Sequence, residues 1–187
     1  MTGGQSRRMG RDKALLPAEG KPLMEHVASI VAPLVRELLV VGHPRAGVTI
    51  PGALFIPDDM PDHGPLGGMI TGLRHTATSH AFVLAVDYPF LNVRLLGMLS
   101  DLIGQHDAVI PRNGEGSHPL QAFYARACLP KLERSLGTGD LRVHHAVAAL
   151  DTRWLGEEDI EAVDRDLRTL ANLNTPEQWA ACGLGGP

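Results

Sequence analysis

The chain has 187 residues, of which 44% are hydrophobic and 20% charged, and its formal net charge is −4. This length suits one globular domain, which we place at residues 1–182, followed by a flexible tail at 183–187. The acidic balance disfavours a general nucleic-acid-binding protein. No apolar run approaches the roughly 20 residues that span a bilayer, and we expect no signal peptide. Together with the two widely spaced cysteines, this predicts a cytoplasmic protein without a membrane partner.

The first half of the chain alternates between helical periodicity and continuous apolar runs. Glu19-Gly20 predicts a turn, and Pro22 predicts the start of a helix whose apolar residues reach position 34. Continuous apolar runs at 38–41 and 53–56 are typical of strands that are buried on both faces. The segment after Gly64-Pro65 has helical spacing, and 81–86 is the strongest strand of the sequence.

The second half continues this alternation. Helices are predicted at 95–103, 129–136 and 143–150, and strands at 108–110, 120–124 and 154–155. Thr175 can cap a last helix that has Pro176 at its first position. The pattern predicts an α/β fold of three layers, in which a mostly parallel sheet has helices on both faces.

The N-terminal segment 2–13, TGGQSRRMGRDK, contains almost no residues that could build a core. Its glycines would expose backbone N–H groups to a ligand, and Arg7, Arg8 and Lys13 add positive charge. One interpretation is a cradle for a polyphosphate. A loose basic N-terminus is the alternative.

Aspartates follow two of the predicted strands. Ligands of open α/β sheets bind beyond the carboxyl ends of the strands. Asp87 directly follows the run 81–86 and suits Mg²⁺, which prefers carboxylate oxygens together with substrate phosphates. Asp87 could instead form a turn or cap the next helix. Asp58 and Asp59 follow the run 53–56, where they could contact the base or sugar of a ligand or act only as loop residues.

Two further segments are open to a functional and a structural interpretation. The three glycines of Gly64-Pro65-Leu66-Gly67-Gly68 would weaken the start of a helix. Their presence would be explained by a flat nucleobase that rests against the backbone, or by a tight turn from loop to helix. His118 follows a glycine-rich loop, where it could contact an anionic substrate or simply lie at the surface. Other motif classes are missing: the chain has no Walker A sequence, G-x-G-x-x-G, G-x-S-x-G or H-E-x-x-H.

In their order and spacing, these segments resemble the molybdenum cofactor guanylyltransferase family of the Rossmann-like nucleotidyltransferases. The opening MTGGQSRRMGRDK resembles the family's L-A-G-G-x-S-x-R-M-G-x-D-K. Further matches are Gly20–Leu23 (G-x-P-L), Asp58 ahead of Gly64–Gly68 (G-P-L-x-G), Asp87–Phe90 (D-x-P-F), His118-Pro119 (H-P) and Asn172–Glu177 (N-x-N-T-P-E).

The resemblance implies transfer of GMP from GTP to the terminal phosphate of molybdopterin or Mo-molybdopterin, with release of pyrophosphate. It implies that the nucleotide is bound by Met1, Thr2, Gly3, Gly4, Lys13, Asp58 and Asp87. It also implies catalytic roles for Lys13, Arg8 and Asp87, with Asp87 as the Mg²⁺ ligand. The pterin would be bound by His118, Asn172 and Asn174. Cofactor-insertion chaperones and molybdoenzymes are the implied protein partners.

The resemblance also leaves open questions. The family has a central strand directly before the glycine loop, and no apolar run precedes the loop here, so we expect that strand to be encoded upstream of Met1. A cytidylyltransferase acting on the same pterin is one alternative to GMP transfer. An inactive nucleotide-binding remnant is another.

Overall fold

The computed structural model describes residues 12–184 of the chain. The strands are β1 (Pro17–Ala18), β2 (Lys21–Pro22), β3 (Leu38–Val41), β4 (Ala53–Ile56), β5 (His80–Leu84), β6 (Ala108–Asn113), β7 (Gly116–Ser117), β8 (Gln121–Ala125) and β9 (Thr152–Leu155). The helices are α1 (Leu23–Val31), α2 (Gly64–His75), α3 (Val93–Leu102), α4 (Leu129–Leu136), α5 (Val143–Val147), α6 (Glu157–Glu161) and α7 (Pro176–Ala181). Short 3₁₀ helices cover Lys13–Leu15, Ala32–Leu34, Pro61–His63, Arg126–Cys128 and Arg168–Leu170. Within these residues, no helix is long and apolar enough to cross a membrane.

The larger sheet is mixed. β8 runs antiparallel to both β5 and β6, so that Phe123 pairs with Phe82 on one side and with Val109 on the other. β9 lies parallel to β6, and the short β7 forms an antiparallel hairpin with β6. β3 and β4 form a separate parallel pair in which Leu39 pairs with Leu54.

Helices cover both faces of the larger sheet, as the alternation of elements predicted. Successive side chains of a strand point to opposite faces. On β8, Tyr124 is fully buried among residues of α2, α4 and α5, whereas Phe123 packs against the cluster that α3 and α6 form on the opposite face. The Phe123 and Phe82 rings stack at 5.1 Å on that second face. The predicted three-layer α/β fold is confirmed.

An apolar cavity of about 320 Å³ lies between β3 and β5. Both strands line it, and α1 and α2 close it through side chains such as Val27 and Leu73. Among residues 12–184, no strand lies between β3 and β5. The expected additional strand stays a prediction.

Most predicted elements agree with the structure, and the differences are local. β5 spans His80–Leu84 rather than 81–86, although the Ala85 N–H still donates at 2.8 Å to the carbonyl of Leu120, the residue opposite it in the β5–β8 register. Leu184, which we assigned to a flexible tail, is buried beside Trp179, and its carbonyl accepts from the Glu19 N–H at 3.1 Å. The packed part of the chain therefore extends at least to residue 184.

Candidate active site

Three of the sequence-predicted site residues, from three distant segments, meet at one point. The Lys13 ammonium donates to Asn174 Oδ1 at 2.8 Å and lies 3.6 Å from Asp87 Oδ2. Lys13 stands at the start of a 3₁₀ helix that Asp12 caps, Asp87 follows β5, and Asn174 directly precedes the capped helix α7. The fold therefore places a cation, a carboxylate and an amide oxygen together.

The Asp87 carboxylate has one oxygen that the described residues leave without a partner. Oδ1 is buried and has no hydrogen-bond partner there, whereas Oδ2 faces Lys13. A buried, unpartnered carboxylate oxygen is costly unless a ligand satisfies it. Within residues 12–184, no group of three or more His, Cys, Asp or Glu side chains could hold a metal ion. Asp87 thus fits Mg²⁺, which binds through one or two carboxylates and takes its other ligands from phosphates and water.

The loop that carries Asp87 is held from two sides. The Leu173 N–H donates to the Asp87 carbonyl at 2.9 Å, which ties the loop to the segment before α7. The buried His26 of α1 donates through Nε2 to the Pro89 carbonyl at 3.0 Å, and its Nδ1 lies 3.6 Å from Glu19 Oε2. These contacts fix the backbone on both sides of Tyr88.

Tyr88 connects Asp87 with the predicted pterin-binding residues His118 and Asn172, whereas its place in the sequence indicated only a turn. The Tyr88 hydroxyl lies 3.3 Å from His118 Nδ1, and the Asn172 side chain is near enough to lower the pKa of Tyr88. Burial, together with the nearby Asp87 charge, raises the pKa of Tyr88 well above its usual range, against the opposing effect of the Asn172 side chain. Tyr88 therefore stays protonated and is the donor to His118.

His118 uses both ring nitrogens within the protein. Nδ1 faces the Tyr88 hydroxyl, and Nε2 lies 3.3 Å from Asn113 Oδ1. Since Asn113 Oδ1 can only accept, Nε2 carries the proton. Burial lowers the pKa of His118, with Glu115 opposing and His144 reinforcing the shift, so the neutral ring is favoured. In this arrangement His118 connects the hairpin β6–β7 to the Asp87 loop.

Asp58 is oriented by the helix that follows it. Its Oδ1 accepts from the Thr71 hydroxyl at 3.1 Å and from the Met60 N–H at 2.9 Å. Its neighbour Asp59 instead pairs with the last turn of α2, at 3.8 Å from Arg74 Nη1 and 3.3 Å from His75 Nε2. The contacts described for Asp58 are thus with α2 and with the segment just before this helix, and not with Lys13, Asp87 or Asn174.

Internal packing accounts for two glycines of the segment 64–68. Gly64 has φ +57°, a conformation that favours glycine. A Cβ at Gly67 would lie 2.6 Å from the Met60 carbonyl oxygen and 2.9 Å from His63 Cβ. This supports the tight loop-to-helix turn at both positions without requiring a nucleobase there.

The remaining sequence-predicted residues, Met1, Thr2, Gly3, Gly4 and Arg8, lie outside the described part of the chain, and their roles stay predictions. The described residues offer a lysine for a phosphate, a carboxylate oxygen for a cation and a set of fixed loops. They supply charge neutralisation and positioning, which are the main needs of a phosphoryl-type transfer.

Comparison with known proteins gives concordant matches over most of the chain. The family model of the MobA-like NTP transferase domain matches residues 1–154. A probable molybdenum cofactor guanylyltransferase of Natronomonas pharaonis is 34% identical, over 95% of this chain and 91% of its own. Another from Chloroflexus aggregans is 36% identical, over 95% of this chain and 88% of its own.

Solved structures agree with these matches. The molybdopterin-guanine dinucleotide biosynthesis protein A of Archaeoglobus fulgidus superposes with a TM-score of 0.81 at 27% identity, covering 96% of this chain and 92% of that one. The 2-C-methyl-D-erythritol 4-phosphate cytidylyltransferase of Thermus thermophilus shares the fold, with a TM-score of 0.67 at 17% identity, over 92% of each chain. The chain belongs to the molybdenum cofactor guanylyltransferase family of MobA-like NTP transferases, as its N-terminal and N-x-N-T-P motifs predicted.

Proposed function

We propose that this protein transfers GMP from GTP to the terminal phosphate of molybdopterin or Mo-molybdopterin and releases pyrophosphate. The observation that carries the proposal is the grouping of Lys13 with Asp87, whose buried Oδ1 has no partner among residues 12–184. Relatives that are 34% and 36% identical bear the name of this activity, which supports GTP over CTP.

In this reaction an oxygen of the pterin phosphate attacks the α-phosphorus of GTP. The bond from the α-phosphorus to the bridging oxygen breaks, and that oxygen leaves with the pyrophosphate. The attacking phosphate is already ionised at neutral pH, so no strong general base is needed. Lys13 neutralises charge on the phosphates, and its ammonium is held in place by Asn174. Mg²⁺ bound through Asp87 would neutralise further phosphate charge.

We assign the remaining predicted residues to the two substrates. Met1, Thr2, Gly3, Gly4, Arg8 and Asp58 bind the nucleotide, while His118 and Asn172 belong to the side that receives the pterin. The proximity of the Tyr88 hydroxyl to both His118 and Asn172 supports a common location for these residues.

We also propose that the protein works in the cytoplasm and that its product passes to other proteins. Both cysteines of the chain are free, and burial raises the pKa of the Cys128 thiol to about 12, which suits a reducing cytoplasm. The product would pass to molybdoenzymes, with or without cofactor-insertion chaperones.

Turnover with purified molybdopterin tests the substrate assignment. Pyrophosphate release and formation of the pterin dinucleotide are measured with GTP, and with CTP in its place, in the presence of Mg²⁺. We expect turnover with GTP. Exclusive use of CTP would make the protein a cytidylyltransferase, and GTP·Mg²⁺ binding without pyrophosphate release would make it a binding remnant.

Asp87→Asn tests the metal assignment. We expect a loss of turnover of at least about a hundredfold, the typical effect of removing one preorganised electrostatic group, and a smaller loss of GTP affinity. Asp59→Asn is the matched control, because Asp59 pairs with Arg74 and His75 on α2 and should leave turnover near the wild-type rate. Wild-type turnover in Asp87→Asn would refute the role of Asp87.

A further inference from the structure

We infer that Asn174 is a positioning residue that acts on the reaction through Lys13, rather than a residue that binds the pterin. This inference rests on the proposed function, since it takes Lys13 to act on the phosphates of GTP. The contact that motivates it is the 2.8 Å hydrogen bond from Lys13 Nζ to Asn174 Oδ1, which joins segments 161 residues apart. Asn174 is thus already engaged in the protein itself.

The chemistry of the acceptor suits an orienting role. A lysine ammonium is a compact charge with three donors on a flexible stem, so it needs an acceptor to fix its direction. The Asn174 amide oxygen provides this without a negative charge, and the ammonium keeps its full charge for phosphate. The nearer described oxygen of the Asp87 carboxylate, Oδ2, lies farther from the ammonium, at 3.6 Å. Lys13 is therefore oriented chiefly by a neutral group.

Asn174 is itself held on a rigid support. Its N–H donates to Gln178 Oε1 at 2.7 Å, and the Thr175 N–H donates to the same oxygen at 3.1 Å. In return, the Gln178 N–H donates to the Thr175 hydroxyl at 3.2 Å, which completes a capping box at the start of α7. On the other side, the Leu173 N–H is bound to the Asp87 carbonyl. Both flanks of Asn174 are fixed, as a positioning side chain requires.

The neighbouring Asn172 has a different partner. Its side chain lies near the Tyr88 hydroxyl rather than Lys13, and Asn172 is exposed where Asn174 is half-buried. The two asparagines of the N-x-N-T-P segment therefore have separate tasks, and only Asn174 contacts Lys13. Asn172 serves as a matched control, because it has the same side chain in the same segment.

A double-mutant cycle between Lys13→Ala and Asn174→Ala tests this inference. Steady-state kinetics with GTP and molybdopterin give kcat and both KM values, and calorimetry gives the affinity for GTP·Mg²⁺. We expect Asn174→Ala to lower kcat on the order of tenfold, with the KM for molybdopterin unchanged. In the Lys13→Ala background, Asn174→Ala should cost almost nothing further, because the group that it orients is gone. Asn172→Ala should have the same effect in both backgrounds.

The outcomes separate this inference from the proposed function. A raised KM for molybdopterin in Asn174→Ala, or effects of the two substitutions that multiply, would overturn it and make Asn174 an independent substrate contact. Wild-type turnover in Lys13→Ala would instead refute the proposed role of Lys13 itself. Thermal unfolding checks the fold of each variant, and Asn174→Leu, which keeps the branching of the side chain but has no acceptor, replaces Asn174→Ala if that variant unfolds.

Discussion

His118 shows how burial selects one chemical form of a side chain. Its Nε2–H faces Asn113 Oδ1, and its Nδ1 accepts from the Tyr88 hydroxyl, so the neutral ring satisfies both neighbours. A protonated ring would point a second N–H at the Tyr88 hydroxyl, which would then lose its own acceptor on Nδ1. Burial adds to this preference by lowering the pKa of His118.

A pH dependence of stability follows from this lowered pKa. Below the ordinary histidine pKa of about 6.5, His118 binds a proton in the unfolded chain but stays neutral in the folded chain. The free energy of unfolding therefore falls as pH falls. We expect His118→Gln to reduce the loss of stability between pH 7.5 and pH 5.5, measured by urea unfolding at each pH. The other histidines are common to both proteins and cancel in the difference. An identical pH dependence in the two proteins would contradict this account.

At the scale of elements, strands with apolar residues on both faces were the most predictable. The runs 38–41 and 53–56 became β3 and β4 with unchanged bounds. The expected burial on both faces is wrong for β4, in which Leu54 is 58% exposed and only Ile56 is buried. Strand direction was less predictable. β8 is buried on both faces, as parallel strands usually are, but it runs antiparallel to β5 and β6, since burial contains no signal of strand direction.

The candidate site was predictable only where residues follow strands or match a motif. Asp87 and Lys13 were both identified in the sequence, but their 3.6 Å approach depends on tertiary packing. The link from Tyr88 to His118 was not predicted, because a tyrosine between Asp87 and Pro89 looks like part of a turn. Contacts between side chains that are 30 residues apart have no local sequence signal.

Helix α2 offers a comparison of two glycines within one element. At Gly67 a Cβ would lie 2.6 Å from the Met60 carbonyl oxygen, whereas at Gly72 it would lie 3.6 Å from Val41 Cγ2, an ordinary contact. We expect Gly67→Ala to destabilise the protein by about 1–3 kcal/mol, because backbone must shift to relieve the clash. Gly72→Ala should be neutral or more stable by up to about 1 kcal/mol, since alanine favours a helix interior.

Chemical denaturation of both variants measures this difference. The two substitutions add the same methyl group to the same helix, so their contrast isolates the contact with Met60. Equal stability of Gly67→Ala and Gly72→Ala would show that the turn from Pro61 to His63 relaxes freely, and that Gly67 is present for another reason.

At the scale of the whole molecule, the cavity between β3 and β5 leaves apolar side chains incompletely packed. Its wall consists largely of aliphatic side chains from both strands, from α1 and from α2, and its volume is about 320 Å³. Protein interiors are close-packed, so a space of this size among apolar groups forgoes many favourable contacts. Helices stand on both sides of it, as they would around a central strand.

Extending the chain ahead of Met1 tests whether this cavity accepts a strand. We expect a segment of about six apolar, β-branched residues fused before Met1 to raise the melting temperature, because each buried aliphatic side chain contributes about 1.5–3 kcal/mol against an ordering cost of about 1–2 kcal/mol per residue. The amides of Leu39 and Phe82 should become more protected from hydrogen exchange. The control extension has the same length, with proline and lysine at alternate positions, which prevents strand pairing. If both extensions leave the melting temperature and the exchange of these amides unchanged, the cavity does not accept a strand from this end of the chain.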